Sequence, residues 1–526
     1  MVMKVTLILV LLSLFSVPFK AYSEVDDQNC LSYDAMPCLN SCCNKKVKSS
    51  ESATLNKEEY GDVAISAKPH QRSEKLHLKR RPKTHALDST IRDLIRIQIL
   101  HRKILEKNNI NSMSRLQEAK EQLQQQNKPT NASAESCNDK FSGMVMATLE
   151  SGASLGSGEY FIDMFVGTPP KHVWLILDTG SDLNWIQCVP CYDCFEQHGP
   201  HYDPKGSSSY RNISCHDPRC QLVSSPHPLR PCKVENQACP YFYDYADGSN
   251  TTGDFALETF TVNLTWPNGK ENFKEVVDVM FGCGHWNKGF FHGASGLLGL
   301  GRGALSFSSQ LQSIYGHSFS YCLTDLFSNA SVSSKLIFGE DKELLNHPNL
   351  NFTSLLAGEE SPDDTFYYLR IKSIIVGEEV LDIPEQTWHW SSQGAGGTII
   401  DSGSTLTFFP DNAYDVIKEA FMKKIKLHPI AEDNFIMSPC YNVSGALQVE
   451  LPDFGIHFAD GAVWNFPVEN YFYQYEPDEV LCLAILKTPN NSSLTIIGNL
   501  LQQNFHILYD TKKSRLGYSP RRCAEV

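Results

Sequence analysis

Two short stretches decide how this chain is read: Trp174-Leu-Ile-Leu-Asp178-Thr179-Gly180-Ser181 and Thr398-Ile-Ile-Asp401-Ser402-Gly403-Ser404. Each is an apolar run ending in Asp, followed by a small hydroxyl residue, Gly and Ser. Another apolar run ending in Gly precedes each of them, Tyr160–Gly167 and Tyr367–Gly377. Two apolar residues and a Gly follow downstream: Leu297-Leu298-Gly299 and Ile496-Ile497-Gly498. The two Asp residues lie 223 positions apart, which places one copy of the frame in each half of a long chain. An Asp directly after an apolar strand is costly to bury unless its oxygens are hydrogen-bonded. The hydroxyl and the Gly N–H that follow are suitable donors, and Gly permits the tight turn.

Outward from these loops the texture is β. From about residue 145, short Val/Ile/Phe/Tyr-rich runs such as Tyr160–Val166, Val173–Leu177, Phe260–Leu264 and Thr398–Ile400 alternate with Gly, Pro, Asn and Asp clusters. The clearest helical pattern is Asn412–Leu427. The expected fold is mostly β, with two β-rich lobes that each carry one Asp loop.

The doubled Asp-Thr-Gly-Ser/Asp-Ser-Gly-Ser frame resembles the two active-site loops of the pepsin-type aspartic proteases. The twelve cysteines after residue 180, with a Cys-rich insertion at 188–239, resemble the nepenthesin-type plant members. The likeness covers residues 155–526 and implies a bilobal acid-protease fold and peptide hydrolysis in acid. Two adjacent carboxylates suit that chemistry, because like charges cannot both ionise: one activates water and the other keeps a proton. The pair titrates as one coupled unit.

The resemblance makes Asp178 and Asp401 the dyad. It implies that Thr179 and Ser402 lock the loops together, that Gly180 and Gly403 supply backbone donors, and that Ser181 supports the first Asp. Tyr245, in Tyr245-Ala-Asp-Gly-Ser249, is similar to the flap tyrosine, and Trp185 to the tryptophan that hydrogen-bonds it. It further implies the bridges Cys188–Cys191, Cys194–Cys283, Cys215–Cys239, Cys220–Cys232, Cys322–Cys523 and Cys440–Cys482. No cofactor and no metal are expected. The partners implied are peptide or protein substrates and the chain's own pro-segment.

The 526 residues carry a formal charge of −14, unevenly spread. Residues 1–140 hold 22 basic against 16 acidic side chains, and the remainder 24 against 44. The acidic body argues against nucleic-acid binding, which needs a basic face. Residues 1–23 read as a signal peptide, with Lys4, an apolar run Val5–Phe15 and the small residues of Ala21-Tyr22-Ser23. That run is short for a membrane span, and no stable membrane anchor is expected. The chain is expected to be secreted to the cell exterior or wall, or else delivered to a vacuolar lumen, and to be monomeric. Residues 24–140 then form a basic, partly helical pro-segment, 141–345 an N-terminal lobe and 346–526 a C-terminal lobe.

Inside the pro-segment, Ile91, Leu94, Ile95, Ile97, Leu100, Ile104 and Leu105 recur at near-helical spacing, with Thr90-x-x-Asp93 as a capping box. Basic amphipathic helices also suit membranes or calmodulin-like partners, but a helical pro-segment is the simpler reading. Arg92, Arg96, Arg102 and Lys103 are expected to pair with acids near the cleft at neutral pH and to let go on acidification.

Cysteines fit an oxidising route. The triad Cys188-x-x-Cys191-x-x-Cys194 also reads as a metal or iron–sulfur pattern, which the secretory context disfavours. Cys30, Cys38, Cys42, Cys43 and Cys137 are odd in number, leaving one unpaired or intermolecular. Sequons begin at Asn131, Asn212, Asn250, Asn263, Asn329, Asn351, Asn442, Asn490 and Asn491, each a glycosylation candidate.

Competing motifs fall short. Gly152-Ala-Ser154-Leu-Gly156 fits a serine nucleophile elbow but sits in a Gly/Ser-rich linker with a strand after it. Gly296–Gly303 lacks the Lys-Ser/Thr of a P-loop, and no His-Glu-x-x-His occurs. A carboxylate-pair glycosidase gives no reason for the repeated frame. The serious alternative is a catalytically silent protease-like protein that binds and inhibits glycoside hydrolases; the intact Asp and Gly of both loops speak against it.

Overall fold

The computed structural model describes Arg81–Pro82, Asp93 and residues 145–525, the last without 156, 225–231, 246–247, 266–270, 290, 292, 327, 329–333, 357–363, 391–395, 431–435, 447–448, 477–478 and 490–491. The expected signal peptide, most of the pro-segment, Cys30, Cys38, Cys42, Cys43, Cys137, and the sequons at Asn131, Asn329, Asn490 and Asn491 lie outside the described residues.

Strand Tyr160–Val166 shows why these runs extend. Tyr160, Ile162, Met164 and Val166 are buried while Asp163 is exposed, the period-two pattern of a pleat. It pairs antiparallel with Lys171–Asp178, whose last five residues are nearly all buried. On the other side of Lys171–Asp178, Gly296–Gly299 pairs in parallel, with Leu298 opposite Leu177 and Gly299 opposite Asp178. The second half repeats the arrangement: Thr398–Ile400 lies between antiparallel Tyr367–Leu369 and parallel Thr495–Ile497, with Ile497 opposite Ile400.

Both downstream glycines now have a steric reason. A Cβ on Gly299 would stand 2.5 Å from the Asp182 carbonyl carbon, and one on Gly498 only 2.1 Å from the Leu406 carbonyl oxygen. The parallel strand must pass so close to the Asp loop that only a bare backbone fits.

Among the described residues, the strand ending in Asp178 belongs to a 14-stranded sheet that runs on through Val145–Ser151 and Ser334–Phe338 to Ser318–Cys322. There the chain's last strands, Phe505–Asp510 and Arg515–Pro520, join it. The strand Thr398–Ile400 sits in a separate five-stranded sheet, accompanied by two four-stranded sheets among the described residues. The mostly-β, two-lobed expectation holds, with the C-terminal strands returning to the sheet of the first half. Helix Asp411–Lys424 buries Ala413, Tyr414, Ile417, Ala420 and Phe421 at helical spacing, and Lys423 and Lys424 complement its C-terminal dipole. It stops three residues before the expected Leu427, because Ile425 is already extended. Gly152–Leu155 is a single 3-10 turn between two strands, without the helix that a nucleophile elbow needs. Among the described residues no helix is long and apolar enough to cross a membrane.

Four of the six expected disulfides are corrected. The chain forms Cys188–Cys283, Cys191–Cys194, Cys215–Cys232 and Cys220–Cys239 in place of Cys188–Cys191, Cys194–Cys283, Cys215–Cys239 and Cys220–Cys232. The cause is register. Trp185–Gln187 pairs in parallel with Glu271–Lys288, Ile186 facing Cys283, which carries Cys188 to a Cα separation of 5.4 Å from Cys283. Cys191 and Cys194 are then left to close a local turn. All three sulfurs of the Cys-x-x-Cys-x-x-Cys triad are therefore in bridges. Cys322–Cys523 and Cys440–Cys482 are present, the second across the paired strands Cys440–Asn442 and Val480–Leu483. Among the sequons, Asn212, Asn351 and Asn442 are exposed and Asn250 is half-buried.

Candidate active site

Asp178 ends its strand and Asp401 follows directly after its own, both fully buried. A buried carboxylate needs donors, and each loop supplies them in the same way. Gly180 N–H donates to Asp178 Oδ1 at 2.9 Å and the Ser181 hydroxyl to Oδ2 at 2.6 Å. Gly403 N–H donates to Asp401 Oδ1 at 2.9 Å and the Ser404 hydroxyl to Oδ2 at 2.7 Å. Ser404 is the counterpart of Ser181 in the repeat, and that equivalence is the sequence signal for its role.

The loops are tied to each other by crossed hydrogen bonds. Thr179 N–H donates to Ser402 Oγ at 3.0 Å, and Ser402 N–H to Thr179 Oγ1 at 2.9 Å. The Ser402 hydroxyl in turn donates a hydrogen bond to the Leu177 carbonyl at 3.0 Å. A small hydroxyl is needed at both positions, because each oxygen serves the backbone of the opposite loop. This brings residues 223 apart together and joins the two Asp loops directly.

Other supports come from residues that carry no motif in the sequence. Asn499 Nδ2 donates to the Ser402 carbonyl and the Gly158 carbonyl, and Gln502 Nε2 to the carbonyls of Ile497 and Asp401. Gln502 Oε1 accepts from the Tyr321 hydroxyl, which lies 2.9 Å from that of Tyr509. Burial first, and then neighbouring phenols and the Asp401 charge, push the Tyr321 hydroxyl well above its usual range, so it stays protonated. On the first loop, Asn184 bonds Gly299 N–H and the Leu305 carbonyl. Asp182 accepts from Gly303 N–H and from the Thr365 hydroxyl, joining the first loop to the start of the second half.

Tyr245 and Trp185 come together, though not as implied. Both are buried, their rings 6.3 Å apart in a cluster with Phe291, Phe195 and Tyr243. Among the described residues neither Trp185 Nε1 nor the Tyr245 hydroxyl has a partner at full hydrogen-bond geometry, while the indole still acts on the phenol as a weak donor, so the implied bond is approached without being closed. Phe291 stands at 5.1 Å from Trp185 and 6.1 Å from Tyr245 and sets the ring geometry by packing. Burial pushes the Tyr245 phenol well above its ordinary value, and the charges of Tyr243 and Asp178 add to it; the nearby indole N–H opposes it weakly. The phenol is therefore a neutral donor within electrostatic reach of Asp178. Ala246 and Asp247, which follow Tyr245 in sequence, lie outside the described residues.

Such a site can hold one proton between two carboxylates that each keep fixed donors. The "Xylanase inhibitor N-terminal" family profile matches residues 160–340 and "Xylanase inhibitor C-terminal" matches 366–520. The chain is 38% identical over 383 residues to "Aspartyl protease family protein 2" of Arabidopsis thaliana, covering 73% of this chain and 74% of that protein. It is 36% identical over 378 residues to "Aspartic proteinase nepenthesin-1" of Nepenthes gracilis, covering 71% and 80%. Among solved structures it shares its fold with conglutin gamma, a basic 7S globulin from lupine seeds. That match has a TM-score of 0.57 and 19% identity over 72% of this chain and 95% of the other.

Proposed function

The chain belongs to the pepsin-like plant aspartic protease family, and on that premise we propose that it is an aspartic endopeptidase acting in acid. The observation that carries this reading is the completeness of both Asp loops: every carboxylate oxygen has its donor and the crossed Thr179/Ser402 bonds are closed. Water held between Asp178 and Asp401 loses a proton to the ionised carboxylate and attacks the peptide carbonyl. The protonated partner hydrogen-bonds the carbonyl oxygen and later protonates the leaving amine. Gly180, Ser181, Gly403 and Ser404 keep the carboxylates in place while charge moves. Tyr245 closes over the bound peptide. We further propose synthesis as a zymogen with a removable leader, export to the cell exterior or a vacuole, glycosylation at exposed sequons such as Asn212, Asn351 and Asn442, and a monomeric enzyme.

A second reading, a binder of glycoside hydrolases, has the descriptions of the two matching profiles in its favour. One assay separates the two. The full chain is acidified and given denatured globin with and without pepstatin, and in parallel tested against a xylan-degrading hydrolase. Globin cleavage that pepstatin abolishes is expected. Intact globin at every acidic pH, together with inhibition of the hydrolase, would favour the binder.

A further inference from the structure

The leader makes a contact that its basic residues did not suggest. Asp93 has helical backbone and is fully buried. Its Oδ2 accepts from the backbone N–H of Thr405 at 2.9 Å and of Leu406 at 2.8 Å, across more than 300 residues of chain. Thr405 directly follows Ser404, the hydroxyl that holds Asp401. Thr405 and Leu406 are themselves buried, and they precede the strand Thr407–Phe409 rather than taking part in its ladder. They also lie at the seam between the halves: a Cβ on Gly158 would stand 2.3 Å from Thr405 Oγ1. Nearby in sequence to Asp93, Arg81–Pro82 pairs in parallel with Tyr475–Glu476 at the edge of a sheet of the second half.

A buried carboxylate loses several kcal/mol of hydration unless strong donors replace water. Two N–H groups on one oxygen are charge-assisted bonds of the strong kind. A capping-box acid needs no distant partner, so folding this side chain onto another element marks a second use.

We propose that the N–H groups of Thr405 and Leu406 form a carboxylate-binding site immediately after the second catalytic loop, and that Asp93 is its built-in ligand. This deepens the zymogen reading and rests on it for its biological meaning: the leader is anchored by an acid on backbone amides next to Asp401. Its removal opens the same donors to the acidic side chain of an incoming peptide.

Hydrogen exchange tests the site without needing catalysis. The full chain is prepared in an Asp178→Asn background, to prevent self-cleavage, with and without Asp93→Leu. The amides of Thr405 and Leu406 are expected to exchange at least about tenfold faster without the carboxylate, while those of Gly180 and Gly403 are unchanged. A synthetic peptide of residues 86–100 should restore protection to the Asp93→Leu chain, and the same peptide with Leu at position 93 should not. Unchanged exchange at Thr405 and Leu406, or restoration by both peptides, overturns the proposal. If Asp93→Leu also loosens Gly180 and Gly403, Asp93→Asn decides. Faster exchange confined to Thr405 and Leu406 supports the carboxylate site, and no change overturns it.

Discussion

The two Asp loops are alike inside and different outside. Within each, Gly N–H and Ser hydroxyl meet the same two oxygens at distances that agree within 0.1 Å. Around them the strand frame repeats, but the polar supports do not. The first loop leans on Asn184 and Asp182 and faces the aromatic cluster of Trp185, Tyr245 and Phe291. The second leans on Asn499 and Gln502 and receives Asp93. The symmetry thus covers the carboxylate donors, the crossed Thr179/Ser402 bonds and the strands that carry them. Beyond them, each half has solved its support with whatever its own strands bring near.

The glycines behind the loops give the harshest break of that comparison. Gly498→Ala and Gly299→Ala each force a Cβ against main-chain atoms, Leu406 O in one case and the Asp182 carbonyl group in the other. Each is expected to lose at least about 3 kcal/mol of stability, the upper range for overpacking, because backbone cannot rotate away. Denaturant unfolding with the slope held fixed measures it, and Gly498→Ala, with the shorter contact, should be worse.

Next comes the crossed lock. Ser402→Ala strips an acceptor from Thr179 N–H and a donor from the Leu177 carbonyl, leaving both buried and unmatched. A loss of about 2–4 kcal/mol is expected. Thr179→Ser keeps its oxygen and should stay within about 1 kcal/mol. Equal losses in the two variants would remove the lock from the account.

The smallest effect is in pH dependence. His506, on a C-terminal strand of the large sheet, is pushed down to about 4 by burial, against the opposing pull of Asp341. Its folded-state value lies below the ordinary 6.5, so the unfolded chain binds its proton first on acidification. The stabilisation is full above 6.5 and is lost as pH falls through about 4. His506→Gln should therefore show a smaller fall in melting temperature between pH 7 and pH 4 than the unsubstituted chain. An equal fall would reassign the acid sensitivity elsewhere.

Much of this is legible in the sequence, and the limit has a physical shape. Local grammar was readable: Asp-Thr-Gly-Ser, Asp-Ser-Gly-Ser, the strands Tyr160–Val166 and Thr398–Ile400, and the downstream glycines all follow from neighbours in sequence. What depends on register between distant strands was not. Cys188 finds Cys283 because Ile186 happens to face it, and no spacing rule states that. Asn499 and Gln502 look like ordinary polar residues of a short helix until that helix is set under the Ser402 and Asp401 carbonyls. Asp93 read as a local cap, and its distant acceptor role appears only once Thr405 is brought to it.

The central claim is that two loops, so differently supported, act as one catalytic unit. Rates of globin cleavage by the acid-treated chain, compared with Asp178→Asn and Asp401→Asn, test it most directly. Each substitution alone is expected to lower the rate by at least about a thousandfold, as for residues that work as a unit. If either variant keeps cleaving within about tenfold of the unsubstituted chain, the shared dyad is contradicted.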